Sequence, residues 1–268
     1  MIETAAGSYY KWKQGDVCNR KAQDKVLLQD IKEIHTKSKG IYGAPRIEHK
    51  LRQNGIRTSP KRVARLMREN GLKSKIKRKF KATTNSNHNL PVAENLLMQN
   101  FITIRPNQVW TSDITYIWTS EGWLYLVVVI DIFNRQIIGW KTDKSLSKAF
   151  VQEAISKSIK TRRPSDELIF HSDRGVQYAS NEVRNLLNKN NITQSMSRKG
   201  NCYDNAITET FFHSLKTEMI YHVNYKTRKE AELSIFEYIE LFYNRQRSHS
   251  SLKYLSPVEY EINYLNNK

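Results

Sequence analysis

The stretch that most limits what this chain can become is "GWLYLVVVIDIF", Gly122 to Phe133, apolar almost throughout. A short continuous apolar run reads as a strand buried on both faces rather than a half-solvated one. Such a strand needs partner strands beside it and a layer of structure above and below. The neighbouring sequence supplies them. "QVWTSDITYIWT" alternates, with Val109, Thr111 and Asp113 on one phase and Trp110, Ser112, Ile114 and Tyr116 on the other. "RQIIGWKTD" reads as a third strand, and the links "SEG" and "FNR" are short enough for antiparallel hairpins.

Helical and extended segments then alternate. A helix is expected over about 146–161, a fourth strand at "ELIFHSD", a helix over 180–190 and a fifth strand at "ITQSM". After the loop "SRKGNCY" come helices over about 204–221 and 229–244. This order predicts an α/β layer domain, a five-stranded mixed sheet with helices on both faces. It matches the ribonuclease H-like plan, which carries carboxylates on its first strand, after its fourth strand and on a late helix.

The front of the chain is different in kind. The net charge of the 268 residues is +18, and residues 1–105 hold 23 Lys+Arg against 8 Asp+Glu, whereas residues 106–268 hold 21 against 18. An excess of that size points to a polyanionic partner. Helices are expected over 24–39, 45–54 and 60–70. Pro45 and Pro60 sit at first turns, Ser59 at an N-cap, and Gly40, Gly55 and Gly71 at the ends. Ile47, Leu51, Val63, Leu66 and Met67 would pack the last two together, leaving Lys61, Arg62, Arg65 and Arg68 mostly off the apolar stripe. That is a helix-turn-helix pattern with a basic second helix, preceding the α/β core as a small helical DNA-binding subdomain. "KSKIKRKFK", residues 73–81, continues the charge through Lys75, Lys77, Arg78 and Lys79. The polar run "ATTNSNHNLP" reads as linker. The expected organisation is residues 1–81 as the basic helical region, 82–105 as linker and 106–268 as catalytic core with C-terminal helices.

Cys18 and Cys202 are too few and too far apart for a disulfide framework or a zinc site, and no apolar run approaches the ~18 residues of a membrane span. The first residues lack a signal-peptide pattern, so a cytoplasmic location and no membrane partner are expected.

Three acids are out of place for surface residues. Asp113 lies inside a strand among aromatic and β-branched residues, Asp173 ends an apolar strand where open α/β sheets bind ligands, and Glu209 lies on a helix beside Ala206, Ile207, Phe211 and Phe212. Individually, Asp113 could pair with an arginine, Asp173 could cap a turn and Glu209 could face solvent. Together they can converge at one end of the sheet. Carboxylate oxygens suit hard divalent cations, Mg²⁺ or Mn²⁺, which complete their shells with water and phosphate oxygens. Two such ions ~4 Å apart serve an in-line phosphoryl displacement. Asn205, Glu209 and Lys216, spaced by four and seven, share a helix face, placing a cation ~10 Å along the helix from the glutamate.

At these residues the chain resembles the orfB-type transposases of the IS three family of bacterial insertion sequences, within the DDE transposase and retroviral-integrase superfamily. The matching segments are "SYYKW", "YGAPRI", "WTSDITYI", "YLVVVIDIFNRQIIGW", "HSDRGVQY", "SRKGNCYDNAITETFFHSLKTE" and "YNRQRSHSSL", and 35 residues separate Asp173 from Glu209. The resemblance implies a ribonuclease H-like core in which Asp113, Asp173 and Glu209 hold two Mg²⁺ or Mn²⁺ ions. It implies cleavage at element ends and attack of the freed 3′-hydroxyl on another DNA strand. It makes Lys216 a contact to end DNA, with Arg198, Lys199 and Asn205 as further candidates, and Arg247 and His249 as residues that approach DNA or brace the site. Its implied partners are double-stranded DNA of the element's terminal repeats and of the target, a second copy of the chain on that DNA, and an upstream-frame helix-turn-helix and leucine-zipper partner or fusion. Its setting is the bacterial cytoplasm, on the nucleoid. The alternatives are a ribonuclease H-like nuclease that cuts without joining, and a non-catalytic DNA-binding regulator of transposition.

Overall fold

The computed structural model describes residues 19–75, 91–164, 167–198 and 205–267. They fall into two compact units, Met1–Ile76 and Lys77–Lys268. Lys77, Arg78, Lys79 and Lys199 lie outside the described residues.

The described residues of the first unit form three helices: α1 (Asn19–Lys37), α2 (Ala44–Gln53) and α3 (Pro60–Glu69). The punctuation read from the sequence acts as expected. Pro45 and Pro60 occupy first turns, where a missing N–H costs nothing, and Ser59 Oγ accepts from the Arg62 N–H at 3.2 Å. Leu27, Ile31, Ile47, Leu51, Val63, Leu66 and Met67 are buried and form the small core. α1 begins five residues earlier than expected, which brings Asp24 of its second turn against α3. Asp24 accepts from Arg62 Nε at 2.7 Å and from Arg65 Nη2 at 2.6 Å. The hydrogen bonds from Arg65 and then Arg62 hold the Asp24 carboxyl below its usual range.

In the second unit, β1 (Val109–Thr119), β2 (Gly122–Asp131) and β3 (Ile137–Asp143) form an antiparallel meander. β4 (Ile169–Ser172) and β5 (Thr193–Met196) add on parallel to β1, giving the order β3-β2-β1-β4-β5. The run that demanded two covering layers has them: Leu126 to Asp131 of β2 are all buried. α4 (Lys148–Arg162) and α5 (Asn181–Lys189) pack with Trp110, Val127 and Val129 in one core. Gly139 permits the close approach of α4 to β3, because a Cβ there would meet the Ala154 carbonyl at 2.8 Å. On the opposite pleat, the hydroxyls of Thr111 and of Thr208 of α6 (Ala206–Glu218) share a hydrogen bond at 2.9 Å, so α6 covers the other face.

The C-terminal part departs from the expected single helix over 229–244. α7 (Arg228–Phe236) gives way to a π-helical stretch, Glu237–Tyr243, that buries Tyr238, Ile239, Phe242 and Tyr243. A last helix, α8 (Pro257–Asn266), starts at a capping box between Ser256 and Glu259. Its Glu261 bonds Arg162 Nη2 at 2.7 Å, and Arg162 reaches the buried Asp131 at 3.3 Å. No described helix is long and apolar enough to cross a membrane.

Candidate active site

The register of β1 and β4 places the first two acids. The parallel pairing runs from Val109↔Ile169 to Ser112↔Ser172 and stops there. Asp113 and Asp173 are the next residues on two adjacent parallel strands, so both emerge at the carboxyl end of that pair. Asp113 remains held by β2, opposite Val128. Its Oδ1 accepts from the Ile114 N–H at 2.7 Å, and Asp173 Oδ1 accepts from the Gly175 N–H at 2.9 Å. Gly175 supplies room beside this carboxylate, since a Cβ there would lie 3.0 Å from Asp173 Oδ1.

α6 crosses this end of the sheet and brings the third acid. Asp113, Asp173, Glu209 and Lys216 all line one cavity of about 1090 Å³. The carboxylates feel one another. Burial, and then the charge of Asp173, push the Asp113 carboxyl well above the usual carboxylate range; Glu209 adds to this and Lys216 opposes it. Burial also raises Glu209 and lowers Lys216, the latter against the charge of Asp113. The phenol of Tyr178 is raised by burial and by both aspartates, and it shares a 2.8 Å hydrogen bond with Ser112 Oγ. Among the described residues that line this cavity, Lys216 is the one lysine, and it is half-buried. Among the described residues no three His, Cys, Asp or Glu side chains are gathered to hold one ion on their own.

The other expected site residues fall in several places. Arg198 is exposed on the loop after β5. Asn205 precedes α6 but does not line the cavity. It is 5% exposed, and its Oδ1 accepts from Thr208 Oγ1 at 2.9 Å. Arg247 is also 5% exposed. It grips Glu218 of α6 with a two-pronged contact, Nε to Oε2 at 2.8 Å and Nη2 to Oε1 at 2.6 Å, and reaches Ser214 at 3.2 Å. His249 is buried with its ring edge-on to Tyr243. The "YNRQRSHSSL" segment therefore clamps the helix that carries Glu209 and Lys216. In the first unit, Lys61, Arg68 and Lys75 are exposed, whereas Arg62 and Arg65 are drawn onto Asp24. The sequence reading missed Glu218, which also accepts from the Tyr238 hydroxyl at 2.6 Å. No local signal marked this pair, because Arg247 sits in the polar run "NRQRSHSS" and its partner lies 29 residues earlier in the chain.

Family models match both units: an HTH-like domain over residues 21–80, and an integrase core domain over residues 104–202 and again over 209–265. The chain is 45% identical over 264 residues to the 31 kDa protein of insertion element IS600 of Shigella sonnei, covering 98% of this chain and 97% of that one. It is 40% identical over 272 residues to the transposase InsF for insertion sequence IS3A of Escherichia coli, covering 97% and 91%. The chain belongs to the IS3 family of transposases. Its fold is also that of a chain in the structure of a simian T-cell lymphotropic virus intasome in complex with the PP2A regulatory subunit B56 gamma, with a TM-score of 0.51 at 14% identity over 86% of this chain and 74% of that one. One integrase-core model spans β1 to β5 and includes Asp113 and Asp173, and a second integrase-core model begins at Glu209.

Proposed function

We propose that this IS3-family protein cuts DNA at the ends of an insertion sequence and joins the freed 3′-hydroxyl to target DNA, by a divalent-metal-dependent phosphoryl transfer. The observation that carries this is the convergence of Asp113, Asp173 and Glu209, from three separate elements, on one cavity beside Lys216.

The donor set fits Mg²⁺ or Mn²⁺. It is all carboxylate oxygen, and such ions bind through one or two protein carboxylates while keeping waters and substrate phosphate oxygens. The Coulomb load on Asp113 is of the sign a cation relieves. Asp113, Asp173 and Glu209 would hold the ions, two by preference, which supply Lewis acidity toward the attacking and leaving oxygens of the scissile phosphate. The protein's own residues do the positioning. β1 and β4 fix the two aspartates by backbone pairing, and Arg247 fixes α6 through Glu218. Lys216, half-buried on the same wall, offers an ammonium to a flanking phosphate.

In this reading residues 1–81 form the DNA-binding region, 82–105 the linker and 106–268 the catalytic core. The basic α3 and the run after it bind the terminal repeats, and two or more copies assemble on DNA. The test is cleavage and joining of terminal-repeat DNA with Mg²⁺ or Mn²⁺. Asp113→Asn, Asp173→Asn and Glu209→Gln should each lower both reactions by more than about a hundredfold, beyond the range in which outer-ligand changes act, with DNA binding retained. Undiminished cleavage in any of the three removes that residue from the metal site. Cleavage without joined product would make the protein a nuclease.

A further inference from the structure

The cavity that holds the acids continues along the β1–β2 hairpin to a group of aromatic side chains that folding does not require to be exposed. Trp118 is 60% exposed and Trp123 42% exposed, although both are large apolar residues on a rigid element. They face each other across the hairpin as a register pair and meet edge-to-face with ring centroids 4.8 Å apart. Tyr116 meets Trp123 in the same way at 5.0 Å. An edge-to-face contact leaves ring faces uncovered, so the group presents aromatic surface to the cavity instead of consuming it. Lys216 Nζ lies 5.1 Å over the Tyr116 ring and lines the same cavity as the carboxylates.

The hairpin is also held in place. Gly122 takes φ +101 at the turn, a conformation other residues adopt poorly. Arg228 of α7 donates to the carbonyls of Trp123 at 3.0 Å and Glu121 at 2.5 Å. The aromatic surface is therefore preorganised. A preformed, exposed aromatic surface beside a phosphate-directed cation has the chemistry of a nucleobase platform: every base has a π-face, and stacking is tolerant of sequence.

We propose that Trp118 and Trp123 stack unpaired bases of a frayed DNA end whose scissile phosphate lies at the three acids. The proposal rests on the phosphoryl-transfer reading of the site and assigns it a substrate form, single-stranded at the end being processed. Five residues of strand separate Asp113 from Trp118, about 17 Å at ~3.3 Å per residue. That is a reach of roughly five stacked nucleotides at ~3.4 Å each, fewer if the strand is stretched. Lys216 stands along this path, where it meets an intervening phosphate. A protein partner would use the same indoles, but it would have no need of their continuity with the carboxylates and Lys216 in one cavity.

The experiment uses the full chain in EDTA, so that it does not depend on catalysis. Its probes are a blunt terminal-repeat duplex and the same duplex with a five-nucleotide single-stranded tail carrying 2-aminopurine. The wild type should quench the 2-aminopurine and bind the tailed DNA more tightly than the blunt DNA. Trp118→Ala and Trp123→Ala should each weaken tailed-DNA binding by about tenfold to a hundredfold, abolish quenching and leave blunt-duplex affinity unchanged. Trp118→Phe should keep both properties, and Trp118→Leu, apolar but unable to stack, should lose both while melting like the wild type. Asp113→Asn should quench normally, which separates failure of the catalytic reading from failure of this one. Full tailed-DNA affinity in Trp118→Leu overturns the proposal. So does dissociation of a wild-type dimer by Trp118→Ala, in sedimentation, with tail affinity unchanged; the surface would then be a contact between copies.

Discussion

Glu209 and Glu218 lie on the same helix, and their surroundings are opposite. Glu218 is 8% exposed, and its charge is closed by the forked contact from Arg247, a hydroxyl from Tyr238 and packing against the aromatic C-terminal segment. Burial works against the charge on Arg247, but the hydrogen bonds and charge of Glu218 outweigh it and its pKa is raised. At the other end of α6, burial raises Glu209, which among the described residues shares a cavity with two more acids and a single half-buried lysine. One end of the helix uses a carboxylate to hold the fold; the other leaves a carboxylate short of positive charge. The difference teaches how to separate structural from chemical acids: ask whether the fold itself supplies the counter-charge.

The largest effect should come from opening the closed end. Glu218→Ala leaves Arg247 buried without its partner, and breaking such a pair costs about 3–5 kcal/mol. Glu209→Ala, removing an acid that makes no ion pair among the described residues, should change stability by no more than about 0.5–1 kcal/mol. Urea denaturation of both variants at pH 7 without divalent metal measures the contrast. Equal losses would break the comparison, because Glu209 would then be structural as well.

Asp131 offers a sharper case, since it is fully buried and partnered at once. It accepts from the backbone N–H groups of Asn107 at 2.8 Å and Phe133 at 3.1 Å, and from Arg162 at 3.3 Å. Burial still wins, raising its pKa from 3.8 to about 6. The folded chain therefore holds this proton more tightly than the unfolded chain. The stability it contributes is present in full below pH 3.8 and is lost as pH rises through about 6. Relative to Asp131→Asn, the wild type should lose on the order of 2–3 kcal/mol between pH 4 and 7. Parallel stability curves for the two proteins would show that the arginine closes Asp131 as completely as Arg247 closes Glu218.

Much of this was legible in the sequence because it rests on local chemistry. Ser59, Pro45 and Pro60 announce helix starts through backbone geometry that any chain obeys. The run from Leu124 to Ile130 announces a doubly covered strand through its apolarity alone. The three acids stood out because each contradicts its own neighbourhood. What stayed hidden depends on partners distant in the chain: Asp24 with Arg62 and Arg65, Glu218 with Arg247, and Glu261 with Arg162 and Asn134. No local pattern distinguishes an arginine that will meet a carboxylate from one that will meet a phosphate. α8 is a different kind of miss, because Ser256, Pro257 and Glu259 spell a capping box and its signal was available. The change to a π-helical stretch after Phe236 has no such signal, since it answers to the packing of Tyr238, Phe242 and Tyr243.

The smallest expected effect carries the same comparison into the first unit. α3 bears Arg62 and Arg68 six residues apart, and both look like phosphate contacts in the sequence. In the fold, Arg62 shares the Asp24 carboxylate with Arg65, whereas Arg68 is exposed and makes no ion pair among the described residues. A guanidinium already neutralised by a carboxylate releases little of the counterion atmosphere when it nears DNA; an exposed one releases its full share. Arg68→Gln should therefore reduce the slope of log affinity against log salt by about 1, and Arg62→Gln by clearly less. Asp24→Asn should steepen the slope, because it releases Arg62 and leaves Arg65 with Glu69 alone, at 3.0 Å. Fluorescence anisotropy of labelled terminal-repeat DNA, titrated with salt, reads all three. Should Arg62→Gln and Arg68→Gln shift the slope equally, DNA outcompetes Asp24 for Arg62, and the contact to α1 is a resting state that binding replaces.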